Sequence, residues 1–138
     1  MLDNKISQYI KSRRSVYPIE FNGKLINDQV VMNILDNTNY APSHKLTQPW
    51  MFKVFSSKSK NKLLEEIIKS NHLTDTKKAK LFKKFSLSSH IICVCMCTHN
   101  DIVPEWEEIA ATAMAVQNLW LSLVGSDIGG YWSTPNYK

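Results

Sequence analysis

Residues 109–124 limit the possible folds more than any other stretch of this chain. Ile109, Ala110, Ala111, Thr112, Ala113, Met114, Ala115, Val116, Leu119, Trp120, Leu121 and Leu123 make it almost wholly apolar or small. Pro104 opens the segment, as proline is favoured in a first helical turn, and Glu105, Glu107 and Glu108 fall where a helix dipole welcomes negative charge. A helix apolar on most faces is expected to be buried on most faces. Within 138 residues of 43% hydrophobic content, enough for one domain with a real core, that burial is hard to achieve with one chain alone. A homodimer with this helix central to its interface is therefore expected.

The remaining chain reads as α+β, without repeats or low-complexity linkers. A short amphipathic helix is expected over residues 3–12, then an irregular crossing over 16–23 punctuated by Pro18 and Gly23. Asn27 suits an N-cap for a helix from 28 to about 37, which would bury Val30, Val31, Ile34 and Leu35. Residues 51–56 read as a buried strand, followed by helices near 59–69 and 75–85. Residues 90–98 read as another strand, and 129–134, with Gly129 and Gly130, as a short one.

Cys93, Cys95 and Cys97 alternate along the 90–98 run, which puts them and His99 on one strand face. Four such positions span too far to close a zinc tetrahedron, and thiols roughly 6.6 Å or more apart do not match disulfide geometry. Buried, reduced thiols serving as small apolar residues are expected. They suit a cytoplasmic location, as does an N-terminus without a secretory profile. No apolar run reaches the length of a membrane span.

The net charge is +5, and five of the seventeen basic residues, Lys77, Lys78, Lys80, Lys83 and Lys84, lie in one segment. A solvated helix packed through Leu81, Phe82 and Phe85 accounts for them. Nucleic-acid binding would require aromatic platforms or a recognised module beside the charge, and neither is evident, so no nucleic-acid partner is expected.

Two stretches carry candidate chemistry. Arg13-Arg14-Ser15 follows the first helix with two guanidiniums and a hydroxyl, and arginine forks match phosphate oxygens two at a time. Residues 41–50 crowd Pro42, His44, Gln48, Pro49 and Trp50 into ten positions before a strand, the composition of a loop that holds a ligand rather than one that merely connects.

These stretches, with Val103-Pro104-Glu105-Trp106-Glu107 and the long helix running into Gly130-Tyr131-Trp132-Ser133, resemble the nitroreductase family in its smaller single-domain bacterial NAD(P)H-dependent form. They occur in family order and cover most of the chain. The resemblance implies one nitroreductase-like domain over 1–138, with a central, mostly antiparallel sheet flanked by helices. It implies FMN bound at a dimer interface by residues of both subunits. By position, Arg13 and Ser15 would hold the phosphate and ribityl end with Arg14 beside them. Tyr40 and His44 would meet the flavin, with Gln48 a further polar candidate. Trp132, Ser133 and Thr134 would reach the cofactor after the long helix. The blander alternatives are a core Trp132, a turn-capping Gln48 and an ordinary exposed His44.

The implied mechanism is a two-step exchange. NAD(P)H gives hydride to the flavin and leaves, and a small-molecule acceptor, nitroaromatic or quinone, takes two electrons in the same place. The difficult chemistry is the cofactor's, so no protein acid–base dyad is implied. Three departures stand out: Tyr17 where members often carry Lys or Arg, Leu46 where many carry Asn, and the absence of the C-terminal helix, strand and tail with which members usually continue. A second reading is therefore a non-catalytic or weakly flavin-binding dimeric interaction protein of the same fold. A third makes the lysine-rich segment 77–84 the working surface, binding a polyanion or an acidic membrane.

Overall fold

The computed structural model describes residues 4–135, and residue 3, where the first helix was expected to begin, lies outside them. Helix α1 (Asn4–Ser12) is followed by a 3-10 turn (Pro18–Glu20), α2 (Asp28–Asp36) and two further 3-10 turns, Asn37–Tyr40 and His44–Leu46. Strand β1 (Trp50–Ser56), helices α3 (Ser57–Ser70) and α4 (Asp75–Leu87), strand β2 (His90–Met96) and helix α5 (Glu105–Leu121) complete the order. The two strands pair with each other in a two-stranded sheet.

The described residues divide into two compact units. One takes in 4–14, 29–53 and 93–128, and the other 15–28, 54–92 and 129–135.

In the first unit, α5 is the organising element. Its buried face consists of Glu108, Ala111, Thr112, Ala115 and Val116. Ala111 and Ala115 are one helical turn apart and lack bulk, so the indole of Trp50, Ala41 and Phe52 close directly onto the helix. The 3-10 turn Asn37–Tyr40 is tied to the far end of α5 by polar contacts. Asn37 Nδ2 donates to Ser122 Oγ at 2.8 Å, and Asn118 Nδ2 donates to the Asn37 carbonyl at 3.2 Å. Thr38, the buried residue of this turn, satisfies its hydroxyl on the Leu35 carbonyl at 2.6 Å. Among the described residues nothing covers the opposite side of α5: Trp106, Ile109 and Met114 are exposed, as are Ile6, Tyr9 and Ile10 on α1. The long helix is thus buried on one face only, and it ends at Leu121 in a succession of turns rather than at 124.

In the second unit, α3 and α4 pack through Leu64, Leu81 and Phe85, with Ile67, Ile68, Leu73 and Ile91 around them. Phe82, expected in this core, is exposed, because it lies off the stripe that Leu81 and Phe85 form at i, i+4 spacing. Helix α3 starts two residues earlier than expected. The Ser59 hydroxyl accepts the Ser56 N–H at 3.0 Å and donates to the Ser56 carbonyl at 2.7 Å, closing the first turn from the strand's last residue. Lys60 is buried and donates Nζ to the Ser88 carbonyl, and desolvation pulls its pKa below the ordinary lysine value.

The short strand expected at 129–134 does not form. Its place is taken by a local docking in the second unit, where the Val16 N–H donates to the Gly130 carbonyl at 3.0 Å. Gly129 passes so near Val16 and Phe21 that a Cβ there would lie 3.0 Å from both side chains. Two residues beyond Val16 the chain enters the Pro18–Glu20 turn, and proline supplies no N–H to continue a ladder.

The cysteine segment also differs from expectation. Strand β2 ends at Met96, so Cys93 and Cys95 are half-buried within it while Cys97 is exposed beyond it, its N–H held by the Pro49 carbonyl at 2.8 Å. All three cysteines are free. Burial pushes the Cys93 thiol above its ordinary pKa, and neighbouring Cys95 adds to the shift. Among the described residues, no helix is long and apolar enough to cross a membrane.

Candidate functional site

At the C-terminal end of α1, the Arg13 N–H still bonds to the Tyr9 carbonyl at 3.2 Å, so the last helical turn aims its side chain. The Arg13 guanidinium carbon lies 4.7 Å from the ring centroid of Trp120 on α5. This cation–π stacking holds a planar donor group against an apolar ring. Arg13 Nη1 and Trp120 Nε1 are both buried, and neither has a hydrogen-bond partner among the described residues. A buried donor left unpaired costs about 1–3 kcal/mol, so two in one contact call for an acceptor. Arg14 differs from its neighbour: it is exposed, and its Nη1 donates to the Lys11 carbonyl at 2.6 Å and the Arg13 carbonyl at 2.9 Å.

The 41–50 loop is anchored at both ends and strained between them. Ala41, Pro49 and Trp50 are buried, whereas Lys45, Leu46 and Gln48 have φ of 51°, 56° and 43°. Left-handed backbone at non-glycine residues costs of order 1–3 kcal/mol each and persists only where surroundings enforce it. Ser43 provides the enforcement: its carbonyl accepts the Leu46 N–H at 3.2 Å and its hydroxyl accepts the Gln48 N–H at 3.1 Å. Gln48 thus joins the turn through its backbone. Leu46 is exposed.

His44 leads out of this turn. Its Nδ1 lies 2.6 Å from Glu107 Oε2 in the first turn of α5, and Pro42, Ser43, His44, Trp106, Glu107, Ala110, Ala111 and Met114 line a cavity of about 400 Å³. The adjacent Glu108 turns the other way into the core. It is 1% exposed and holds His99, whose N–H reaches Oε2 at 2.8 Å and whose Nδ1 lies 2.7 Å from Oε1. Two consecutive glutamates, about 100° apart around the helix, therefore fix two histidines from two different loops. Tyr40, closing the Asn37–Tyr40 turn, is exposed.

Among the sequence-predicted site residues, Arg13, Arg14, Tyr40, His44 and Gln48 belong to the first unit, while Ser15, Trp132, Ser133 and Thr134 belong to the second. In the second unit Ser15, Trp132, Ser133 and Thr134 are exposed, and Tyr17 stacks against Tyr131 with ring centroids 5.0 Å apart. That unit also holds a hydroxyl–imidazole–carboxylate line. Ser89 Oγ lies 2.8 Å from His90 Nδ1, and His90 Nε2 lies 2.7 Å from Asp28 Oδ1. Ser89 is buried and its oxygen accepts the Ile26 N–H at 2.8 Å, so the line fastens the start of α2 to β2 and offers no accessible nucleophile. The hydrogen bond from His90, reinforced by Ser56, holds the Asp28 carboxyl below its usual pKa.

The model of the family described as "Nitroreductase family" matches residues 10–137. The chain belongs to the nitroreductase family. It is 28% identical over 132 residues to a Bacillus subtilis protein named "Putative NAD(P)H nitroreductase YfhC", a match covering 91% of this chain and 66% of that relative. It therefore spans slightly less than two thirds of that relative's length. The crystal structure of a nitroreductase-like family protein from Bacillus cereus superposes with a TM-score of 0.82 at 26% identity, over 99% of this chain and 73% of that one. The FMN-dependent nitroreductase NfnB from Mycobacterium smegmatis, solved in complex with NADPH, shares the fold with a TM-score of 0.68 at 16% identity, over 89% and 71% of the two chains. The nitroreductase-like α+β fold anticipated from the motifs is thus the fold of this chain.

Three residues of this nitroreductase fold escaped the reading of the sequence. Trp120 read as one more apolar position of the long helix, and nothing local marks it as the platform for a side chain 107 residues away. Glu107 and Glu108 read as charges favoured by the helix dipole, and their histidines lie in loops that sequence spacing does not connect to α5.

Proposed function

We propose that this chain is an FMN-dependent oxidoreductase that moves electrons from NAD(P)H to nitroaromatic or quinone-type acceptors by two alternating hydride transfers, as a single nitroreductase-like domain working in a homodimer. The observation that carries this reading is the Arg13–Trp120 pair, whose two buried donors lack an acceptor among the described residues. A phosphate monoester is dianionic and offers several acceptor oxygens, so it suits an arginine fork pre-oriented on an aromatic face. Family membership and the relative solved with NADPH and described as FMN-dependent support the same cofactor and reductant.

When bound, FMN supplies the hydride-accepting and hydride-donating chemistry. The chain's own residues bind, orient and shield. Arg13 and Ser15 would hold the phosphate and ribityl end, and Arg14, tied to backbone carbonyls, would add positive potential beside them. By the family resemblance, Tyr40, His44 and Gln48 would meet the flavin ring, and Trp132, Ser133 and Thr134 would reach the cofactor after α5. The apolar walls near His44 suit a planar acceptor. The exposed apolar faces of α1 and α5 support pairing of two copies, because Ile6, Tyr9, Ile10, Trp106, Ile109 and Met114 would gain by leaving water.

The deciding experiment is a visible absorbance spectrum of purified protein, after incubation with FMN and removal of the excess. A retained flavin band that NAD(P)H bleaches without oxygen is expected. A colourless protein would overturn the reading in favour of a dimeric interaction protein of the same fold.

A further inference from the structure

The His44–Glu107 contact is the shortest imidazole–carboxylate approach among the described residues, and it stands on the wall of a cavity. A carboxylate only accepts, so the hydrogen at 2.6 Å belongs to His44 Nδ1. The other ring nitrogen, Nε2, has no hydrogen-bond partner among the described residues. The two partners differ in rigidity. Glu107 sits in the first turn of α5, with its N–H on the Pro104 carbonyl at 3.0 Å, whereas His44 opens the 3-10 turn that contains the left-handed Lys45 and Leu46. Helix α5 thus holds the imidazole, and the strained turn delivers it.

We infer that Glu107 is the positioning residue of His44: it fixes the Nδ1–H form and ring orientation, reserving Nε2 for the ring of the flavin. This rests on the flavin reading given above, which it extends from His44 to the residue that holds its ring. With Nδ1 committed, a neutral His44 presents only a lone pair at Nε2, suited to an N–H edge of a heteroaromatic ring. A protonated His44 presents an N–H there, suited to a carbonyl oxygen or a developing negative charge. Either way one defined atom faces the ligand. Without Glu107 the exposed imidazole regains rotamer freedom and the Nε2–H form that imidazoles favour in water, so the atom offered changes.

The test uses the full chain with Glu107→Gln and Glu107→Ala, and has two readouts. Two-dimensional 1H–15N correlation through the imidazole carbons reports the tautomer of His44 without any cofactor, with His44→Asn assigning the signal. FMN titration followed by fluorescence quenching gives the dissociation constant. We expect Nδ1–H in the native protein, a shift towards Nε2–H in Glu107→Ala, and roughly three- to tenfold weaker FMN binding. In Glu107→Gln, whose amide oxygen still accepts, both effects should be smaller. Native-like tautomer or native-like FMN affinity in Glu107→Ala would overturn the inference. The flavin reading fails separately, through a native protein that binds no FMN, and in that event the role assigned to Glu107 falls with it.

Discussion

The guanidinium of Arg13 and the indole of Trp120 stack at 4.7 Å, and each carries a buried nitrogen without a hydrogen-bond partner among the described residues. Stacking removes rotamer freedom from the arginine before any ligand arrives, so an anion that binds there need not supply that ordering itself.

Replacing Arg13 should therefore weaken FMN retention more than loss of one surface charge would. Charge-assisted hydrogen bonds contribute about 1.5–3 kcal/mol, so Arg13→Ala should raise the FMN dissociation constant on the order of ten- to a hundredfold. Arg13→Lys should recover little, since an ammonium neither stacks as a plane nor donates as a fork. Equal affinity in native and Arg13→Ala proteins, measured by fluorescence titration, would show that the phosphate is held elsewhere.

The packing of α5 on the 41–50 loop sets a stability threshold for the same region. Trp50 fits against Ala111 and Ala115, and Ala115 is 0% exposed. Trp50→Ala should cost about 3–5 kcal/mol through lost burial and a residual cavity. Ala115→Leu should cost about 1–3 kcal/mol by overpacking. Urea unfolding midpoints of both variants against the native chain measure these losses.

Acid sensitivity should trace in part to Asp28. Its carboxyl is held below the ordinary value in the folded state, so the unfolded chain takes up the proton first as pH falls. The stabilising contribution is full above the unfolded carboxylate pKa of about 3.9 and disappears as pH drops through the lowered folded value. The stability difference between native and Asp28→Asn proteins should hence be constant well above pH about 4 and shrink below it. Denaturant titrations at stepped pH test this, and a difference that grows on acidification would contradict it.

The three thiols should separate kinetically. Cys97 is exposed past the end of β2, while Cys93 is half-buried and pushed towards the thiol form. Thiolates are the reacting species, so brief alkylation at mildly alkaline pH followed by peptide mass spectrometry should find Cys97 labelled well before Cys93.

Local chemistry was legible wherever one segment contains its own reason. The α2 boundaries, Pro104 preceding α5 and the i, i+4 pairing of Leu81 with Phe85 all follow from period and capping. The motifs around Arg13, residues 41–50 and Trp132 likewise sufficed for the family, because their order along the chain carries the information. The strand expected at 129–134 failed since strand formation depends on a partner, and the segment against which Gly130 docks turns away at Pro18. Phe82 failed because a helix crowded with lysines leaves its angular boundary between core and solvent undefined.

What the sequence alone determined was the α+β class, the near-apolar helix and the family. Only the tertiary structure decided that Arg13 stacks on Trp120, that Glu107 takes His44 while Glu108 takes His99, and that one face of α5 remains uncovered among the described residues. The physical reason is that helix periodicity and capping act over a few residues and can be read along the chain. Stacking, ion pairing and burial act between residues 9 to 107 positions apart, whose distances exist only once the backbone has closed on itself.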